Sequence, residues 1–273
     1  MTLPPADFSH TVLGNTGLQV HRLGLSASYR PGKEAIYRAA EAGVNVFFGY
    51  GFDGQMISAL RDLFGSRRED HILATGAYNY IWGHSNLRRT LQKRLRQFRT
   101  DYIDLFMFLG VTTEKQFPPE VREELYRLRE EEKVRFVGIS THDRKLAGKL
   151  AAEGALDLLM IRYNAAHRGA EEDIFPHLAA HNPGVVSYTA TRWTRLLRRP
   201  RKWPPERSVP DAGMTYRFVL SHPSVHVCLT APRNIRELDE NLNALEQGPL
   251  SGEEMEFMKE FGDCVHDSAG WFM

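Results

Sequence analysis

Short apolar runs alternate along the chain with longer stretches that have the 3.6-residue period of amphipathic helices. Eight of these runs have the length and composition of buried strands, at residues 23–26, 44–48, 71–75, 103–108, 134–140, 158–162, 184–189 and 225–230. Helical stretches follow them, most clearly at residues 85–98, 118–132, 170–181 and 235–246. Eight strand–helix pairs in sequence predict an α/β fold, a (β/α)8 TIM barrel with a closed parallel sheet inside a ring of helices.

The two ends of the chain depart from this repeat. Residues 11–14 and 18–22, separated by a turn that contains Gly17, predict an N-terminal β-hairpin that closes the bottom of the barrel. Residues 251–267 predict an extra C-terminal helix. The main alternative is an open doubly wound sheet, but its usual glycine-rich fingerprint is missing from residues 27–32, after the first strand. No break in composition divides the chain, so residues 1–273 are predicted to form one barrel domain.

Composition and charge exclude several classes of protein. The chain has 273 residues, 42% of them hydrophobic and 25% charged, which is typical of a soluble globular protein of one barrel. Its net charge of +1 argues against nucleic acid as a partner. Cys228 and Cys264 are too few for a disulfide framework or a cysteine zinc site, so no metal is predicted. Without a long apolar run or a targeting signal near Met1, we expect no membrane partner and a cytoplasmic location.

Seven matching stretches, in a consistent order, carry a family resemblance. They are residues 13–20 with 23–25, 42–47, 101–105, 133–140, 163–164, 186–188 and 238–241. On these stretches the chain resembles the aldo-keto reductases over nearly its whole length. The resemblance implies the barrel fold, NADP(H) as cofactor, and reduction of carbonyl compounds at the C-terminal ends of the strands.

The catalytic tetrad of that family is missing from the matching positions. In the family, a tyrosine donates the proton, a lysine lowers its pKa, an aspartate supports the lysine and a histidine orients the carbonyl. The resemblance places the aspartate at Phe48, the tyrosine at Asp53, the lysine at Gly76 and the histidine at Leu109. Residues 71–82 contain no lysine, and no histidine lies between residues 102 and 114, so a shifted alignment does not restore them. Phenylalanine, glycine and leucine side chains cannot stabilise or protonate an alkoxide.

Several positions that hold the nicotinamide end of the cofactor are retained. Ser140 matches the serine that binds the nicotinamide amide, and Thr141 stands where the family has asparagine. Tyr188 matches the aromatic residue that stacks beneath the nicotinamide ring, although a core tyrosine at a strand end is the alternative interpretation. Met160 replaces a glutamine, so one amide contact is lost.

The phosphate and adenosine positions are also represented. Thr189 and Thr191 fall where the family's loop wraps the pyrophosphate. Six basic residues follow within eleven positions: Arg192, Arg195, Arg198, Arg199, Arg201 and Lys202. They predict an anion clamp, with a solvated surface loop as the alternative. For the nucleotide tail, the resemblance implies Arg233, Asn234, Arg236, Glu240 and Asn241. Asn234 is equally a candidate helix N-cap, with Glu237 completing a capping box.

Other polar residues after the strands are candidates for replacement chemistry. They are Tyr29, Arg30, Tyr50, Asp53, Tyr78, Tyr80 and His142. Tyr50 and Asp53 are the predicted catalytic residues, since they lie nearest to the missing tyrosine. An unassisted phenol is, however, a poor acid at neutral pH. A structural role is the alternative for each residue, and for His142 we expect a capping or surface role.

Two classes of function therefore stay open. The first is an atypical NADP(H)-dependent oxidoreductase that works without the tetrad. The second is a pseudoenzyme or a repurposed barrel, which binds a nucleotide or another ligand or catalyses a non-redox reaction. Phe48, Phe52, Trp82 and Leu109 would make the barrel mouth apolar, so the predicted ligand is a small apolar or aromatic molecule.

Overall fold

Eight parallel strands close into a barrel in the computed structural model, which describes residues 7–79 and 86–268. An antiparallel pair, β1 (His10–Val12) and β2 (Gln19–His21), precedes the barrel as predicted. The barrel strands are β3 (Leu23–Ser26), β4 (Val46–Phe48), β5 (Ile72–Tyr78), β6 (Ile103–Val111), β7 (Val134–Thr141), β8 (Leu158–Arg162), β9 (Gly184–Tyr188) and β10 (Val227–Thr230). They neighbour one another in chain order, and β10 pairs with β3 to close the barrel. This confirms the predicted (β/α)8 architecture.

Helices cover the outside of the barrel. They are α1 (Lys33–Glu41), α2 (Gly54–Arg67), α3 (Leu87–Phe98), α4 (Pro119–Glu130), α5 (Arg144–Glu153), α6 (Ala170–Asp173), α7 (Ala212–Ser221), α8 (Ile235–Leu245) and α9 (Gly252–Asp267). α9 is the predicted extra helix. The predicted start of α3 at Ser85 lies outside the described residues.

One predicted helix was wrong. Residues 170–181 were expected to form a continuous helix, but α6 ends at Asp173 and a single 3₁₀ turn, Phe175–His177, follows it. Pro176 accounts for the break, because it has no backbone N–H to donate and disfavours the helical conformation of the residue before it.

Alternate side chains of each strand point into the barrel. The interior cluster includes Phe48, Met107 and Leu109, and at the bottom it includes Leu13 and Val20 from the N-terminal hairpin. All five are nearly or fully buried, so the hairpin does close the bottom of the barrel. The open end is therefore the C-terminal one, where active sites of this architecture lie.

A buried carboxylate links three strands on the outer side of the barrel. Asp104 on β6 is 1% exposed and binds Arg68 at 2.7 Å and Arg135 at 2.9 Å. The same carboxylate accepts a hydrogen bond from the backbone N–H of Leu73 on β5. Since a buried carboxylate needs such partners, Asp104 is a structural ion-pair centre. In the part of the chain that the structure describes, no helix is both long and apolar enough to cross a membrane.

Candidate functional site

Three of the four positions that the resemblance assigns to the tetrad are apolar and closed. Phe48 and Leu109 are 1% and 3% exposed and belong to the interior cluster. Gly76 lies beside Met107 on the neighbouring strand, and a Cβ atom built on Gly76 would lie 2.0 Å from the Met107 carbonyl oxygen. A side chain at position 76 therefore cannot be accommodated without a movement of the backbone.

A cavity of about 160 Å³ opens at the C-terminal mouth. The ends of β3, β4, β8, β9 and β10 surround it, and its lining residues are Ser26, Ser28, Tyr29, Tyr50, Met160, Tyr188, Thr189, Ala190, Thr191, Trp193, Tyr216, Leu229 and Ala231. Four of the predicted cofactor or catalytic residues are thus brought together here, namely Tyr50, Tyr188, Thr189 and Thr191. Within residues 7–79 and 86–268, no lysine or other ionic side chain lines this cavity.

Tyr188 lies at the centre of a polar contact network. Its hydroxyl is hydrogen-bonded to Ser140 and lies 3.3 Å from the imidazole nitrogens of His142. Burial raises the pKa of Tyr188 to about 12, although the nearby Arg162 guanidinium opposes the shift. Two predicted residues, Ser140 and Tyr188, are therefore in direct contact. Of the two roles expected for His142, capping is wrong, because the neighbouring Asp143 accepts the capping hydrogen bond of α5. The residue is exposed, as the surface alternative predicted.

Thr141 faces away from this network. Its hydroxyl accepts a hydrogen bond from the backbone N–H of Asp143 at 2.9 Å. It lines a separate cavity of about 10 Å³ together with His142, Arg162 and His167. Neighbouring residues on a strand point to opposite faces, which is why Ser140 and Thr141 diverge.

Tyr50 turns its hydroxyl toward the cavity at the end of a short hydroxyl chain. Ser28 donates to the Tyr50 hydroxyl at 3.1 Å, and Ser26 and Ser28 are 2.8 Å apart. The Tyr50 ring packs edge-on against Phe48 at 4.9 Å and stacks on Phe52 at 5.3 Å, measured between ring centroids. The two serines were missed from the sequence, although their spacing of two after the first strand places both on the inner face.

Asp53 lies behind Tyr50 rather than in the cavity lining. It stands at the N-cap of α2, but its side chain makes no capping bond and instead accepts a hydrogen bond from the Gly51 N–H at 3.3 Å. Burial raises the pKa of Asp53 to about 6, against the opposing charge of Arg94. Among the described residues its Oδ2 is buried without a hydrogen-bond partner. Tyr78, another predicted candidate, faces the same cluster, and burial raises its pKa.

The loop after β9 is placed differently from the prediction. Arg192 is 3% exposed, and its guanidinium donates to the Val265 carbonyl of α9 at 2.9 Å. This geometry favours a structural role over the phosphate clamp predicted for Arg192. Trp193, which the sequence analysis missed, lines the cavity and is 47% exposed. The left-handed backbone of Arg192, Trp193 and Thr194, with φ of 48°, 49° and 67°, turns the indole toward the cavity side of the loop.

The predicted adenosine residues adjoin the cavity without lining it. Arg233 is bound to Glu237 at 2.6 Å, and Asn234 caps α8 by accepting from the Glu237 N–H at 3.0 Å. Asn241 is 5% exposed and donates to the Thr230 hydroxyl, whereas Glu240 is exposed beside Arg236. The N-cap alternative for Asn234 is thus confirmed, but the capping box is not formed, because the Glu237 carboxylate accepts from the backbone N–H and the guanidinium of Arg233 instead. Binding of adenosine stays a prediction.

Two of the predicted residues, Tyr29 and Phe52, are exposed aromatic residues. Tyr29 lines the cavity and is 47% exposed, while Phe52 is 77% exposed and contributes to the surface rather than to the cavity. Tyr80 and Trp82 lie outside the described residues.

Comparison with known proteins identifies one family. The model of the aldo/keto reductase family matches residues 33–208. The uncharacterized oxidoreductase YqkF of Bacillus subtilis is 25% identical over 234 residues, which cover 72% of this chain and 76% of that protein. The L-galactose dehydrogenase of Arabidopsis thaliana is 22% identical over 294 aligned positions, with 91% of each chain covered.

Solved structures share the fold. The holo form of aldo-keto reductase AKR11C1 from Bacillus halodurans superposes with a TM-score of 0.77 at 22% identity, covering 93% of this chain and 96% of that one. An aldo/keto reductase from Klebsiella pneumoniae in complex with NADP and acetate gives a TM-score of 0.75 at 22% identity, with 93% and 95% covered.

Proposed function

The chain belongs to the aldo/keto reductase family, and on that premise we propose that it is an atypical NADP(H)-dependent oxidoreductase that works without the usual tetrad. The observation that supports this most is the composition of the mouth cavity. Tyr188, Thr189 and Thr191, which match cofactor-binding positions, line it together with Tyr50. The tetrad positions Phe48 and Leu109 lie below in the apolar interior.

The residues present fit the nicotinamide and phosphate parts of NADP(H). Tyr188, in the cavity lining, offers an aromatic face for the nicotinamide ring. Ser140 is not among the lining residues; its hydroxyl bonds the Tyr188 hydroxyl and stands at the position that matches the nicotinamide amide contact of the family. The Thr191 hydroxyl accepts from the Thr194 N–H and can still donate to the pyrophosphate, whereas the Thr189 hydroxyl already donates to the Tyr188 carbonyl at 2.6 Å. NADP is the ligand in the Klebsiella pneumoniae neighbour. When bound, NADPH supplies a hydride to a carbonyl carbon.

Tyr50 is the proton donor in this proposal. Carbonyl reduction leaves an alkoxide that must take up one proton, and the Tyr50 hydroxyl faces the cavity in which that oxygen would form. As the proton leaves, the Ser28 hydroxyl that donates to Tyr50 stabilises the phenolate. A neutral hydroxyl does so less well than a lysine ammonium, so we expect slow turnover. Asp53, the second predicted catalytic residue, does not line the cavity, and we assign it a supporting role.

The substrate in this proposal is a small apolar or aromatic carbonyl compound. The Tyr50 ring connects the buried Phe48 to the exposed Phe52 through the two ring contacts described above. Tyr29 and Trp193 add two further exposed aromatic surfaces at the rim. Stacked and edge-on ring contacts are the usual way in which such surfaces hold a planar apolar group.

A non-catalytic role is the alternative, and the closed tetrad positions favour it. With no space for a side chain at Gly76 and none for a proton donor at Phe48 or Leu109, the barrel could bind a nucleotide without turning over a carbonyl. The two functions differ in one measurable property, which is oxidation of NADPH in the presence of an aldehyde.

The test is NADPH oxidation with 4-nitrobenzaldehyde, followed at 340 nm. We expect slow turnover that falls about a hundredfold in Tyr50→Phe, the lower end of a general-acid contribution. Tyr126→Phe is the matched control, because that hydroxyl binds the Ala155 carbonyl on the outside of the barrel. Equal rates in Tyr50→Phe and the original protein would refute the role of Tyr50. NADPH binding without any turnover would favour the non-catalytic alternative.

A further inference from the structure

Three side chains converge on the backbone of one residue, Gly51, directly after Tyr50. The Gly51 N–H donates to Asp53 Oδ1 at 3.3 Å, and its carbonyl accepts from Gln97 Nε2 at 2.9 Å. The third contact is the Arg94 guanidinium, which packs against the Gly51 Cα. A Cβ atom built on Gly51 would lie only 1.9 Å from Arg94 Nη1. The loop of residues 49–53 is thus held from three sides.

Arg94 and Gln97 act as one unit in this contact. Arg94 Nη1 donates to Gln97 Oε1 at 2.7 Å, and both residues lie on α3, one turn apart. Arg94 is 4% exposed, which is costly for a guanidinium and calls for compensation. Gly51 has a φ of 83°, so glycine suits position 51 both for its backbone conformation and for the approach of Arg94.

The charges around Arg94 belong to the same cluster. Asp53 from the loop and Tyr78 from β5 are the titratable groups whose fields act on Arg94, and Tyr50 acts with them on Tyr78. Arg94 thus contacts both its own helix, through Gln97, and the loop of residues 49–53, through Gly51. Its contact with Gly51, the residue after Tyr50, connects α3 to the loop that carries the residue used by the proposed chemistry.

We propose that Arg94 and Gln97 are positioning residues that hold the loop of residues 49–53 and thereby fix the Tyr50 hydroxyl in the cavity. This inference rests on the proposed role of Tyr50. Together with backbone hydrogen bonds at residues 50, 51 and 53, the Arg94 charge also lessens the cost of the buried Asp53 carboxylate. A misplacement of a catalytic group by about 1 Å can cost a hundredfold in rate, so loss of either residue should act on turnover.

The test compares Arg94→Met and Gln97→Met with Arg96→Met, an exposed arginine on the same helix. We expect kcat for 4-nitrobenzaldehyde to fall about tenfold to a hundredfold in the first two variants and to stay within twofold in the control. The dissociation constant for NADPH should stay within twofold in all three. Unchanged kcat in both Arg94→Met and Gln97→Met would overturn the proposal.

Two readouts do not depend on activity and separate this inference from the proposed function. Hydrogen exchange of the Gly51 amide should be faster in Arg94→Met and Gln97→Met than in Arg96→Met. The carboxyl pKa of Asp53, followed by NMR, should rise above its value of about 6 in Arg94→Met only, since Gln97 carries no charge. If the protein reduced no aldehyde but both readouts changed as stated, the positioning role would stand and the oxidoreductase proposal would fail. Unchanged exchange and pKa would refute the positioning role by themselves.

Discussion

Replacement of Asp53 by asparagine should stabilise the protein at alkaline pH. The folded protein holds this carboxyl in a buried place, which raises its pKa from 3.8 to about 6. A raised carboxyl pKa means that the folded state favours the protonated form. Relative to the neutral side chain, ionisation of Asp53 therefore costs the folded state free energy as the pH rises from about 4 through 6, and asparagine avoids this cost.

The magnitude follows from the size of the shift. A difference of about two pKa units corresponds to roughly 3 kcal/mol between the two protonation states, which is an upper value for Asp53→Asn at pH 8. At pH 4.5, where most of the folded carboxyl is protonated, the same linkage gives only about 1 kcal/mol. The amide oxygen of asparagine can still accept from the Gly51 N–H, so this hydrogen bond is preserved.

Urea unfolding at pH 8 and pH 4.5 measures both values. Asp143→Asn is the matched control, because Asp143 caps α5 through a side-chain bond and asparagine is an equally good N-cap. We expect the gain in unfolding free energy for Asp53→Asn to be about 2 kcal/mol larger at pH 8, with no such difference for the control. A gain that is equal at the two pH values, or a loss at pH 8, would refute the assigned cause of the shift.

Three further substitutions test separate features of the structure. Gly76→Ala should lower the unfolding free energy by about 1–3 kcal/mol, since the added Cβ would meet a backbone carbonyl. Gly65→Ala on α2, where no atom lies within 4 Å of the added Cβ, should not destabilise the protein. Equal effects of the two substitutions in urea titrations would contradict the closed position at Gly76. Asp104→Ala should lower the unfolding free energy by about 3 kcal/mol, because Arg68 and Arg135 lose their carboxylate partner. A loss under about 1 kcal/mol would argue against a structural ion-pair centre at Asp104. Arg192→Met should lower the melting temperature, because the bond to the Val265 carbonyl is lost, and leave the dissociation constant for inorganic pyrophosphate, measured by calorimetry, within about twofold. A weakened affinity at an unchanged melting temperature would restore the predicted phosphate clamp.

The fold could be predicted well because periodicity is a local property of the sequence. The eight strands, the hairpin and the C-terminal helix all follow from apolar spacing and turn residues. Strand ends were predicted less accurately. One strand was predicted to end at Thr75, because neither glycine nor alanine is typical of strands and both indicated an end, but it continues through Gly76 and Ala77 to Tyr78. The broken helix at Pro176 should have been foreseen, because proline is itself a helix-breaking signal.

The site could be predicted only in part, because its geometry depends on contacts between distant residues. Tyr50 and Tyr188 could be placed at the mouth because each stands at or just beyond a strand end. Arg94 had no such signal, since it lies on an outer helix and reaches the mouth only by packing under a loop more than 40 residues earlier. Arg192 had a misleading signal, because a basic residue in a basic loop gives no sign that its side chain turns inward to α9.

A calorimetric titration with NADPH tests the central claim most directly. The claim is that the mouth cavity keeps its cofactor-binding side around Tyr188. We expect saturable binding, weakened about tenfold or more in Tyr188→Ala, because the ring face offered to the nicotinamide is lost, and unchanged in the control Tyr126→Ala on the outer helix α4. Absence of binding up to millimolar NADPH, or an unchanged affinity in Tyr188→Ala, would contradict it.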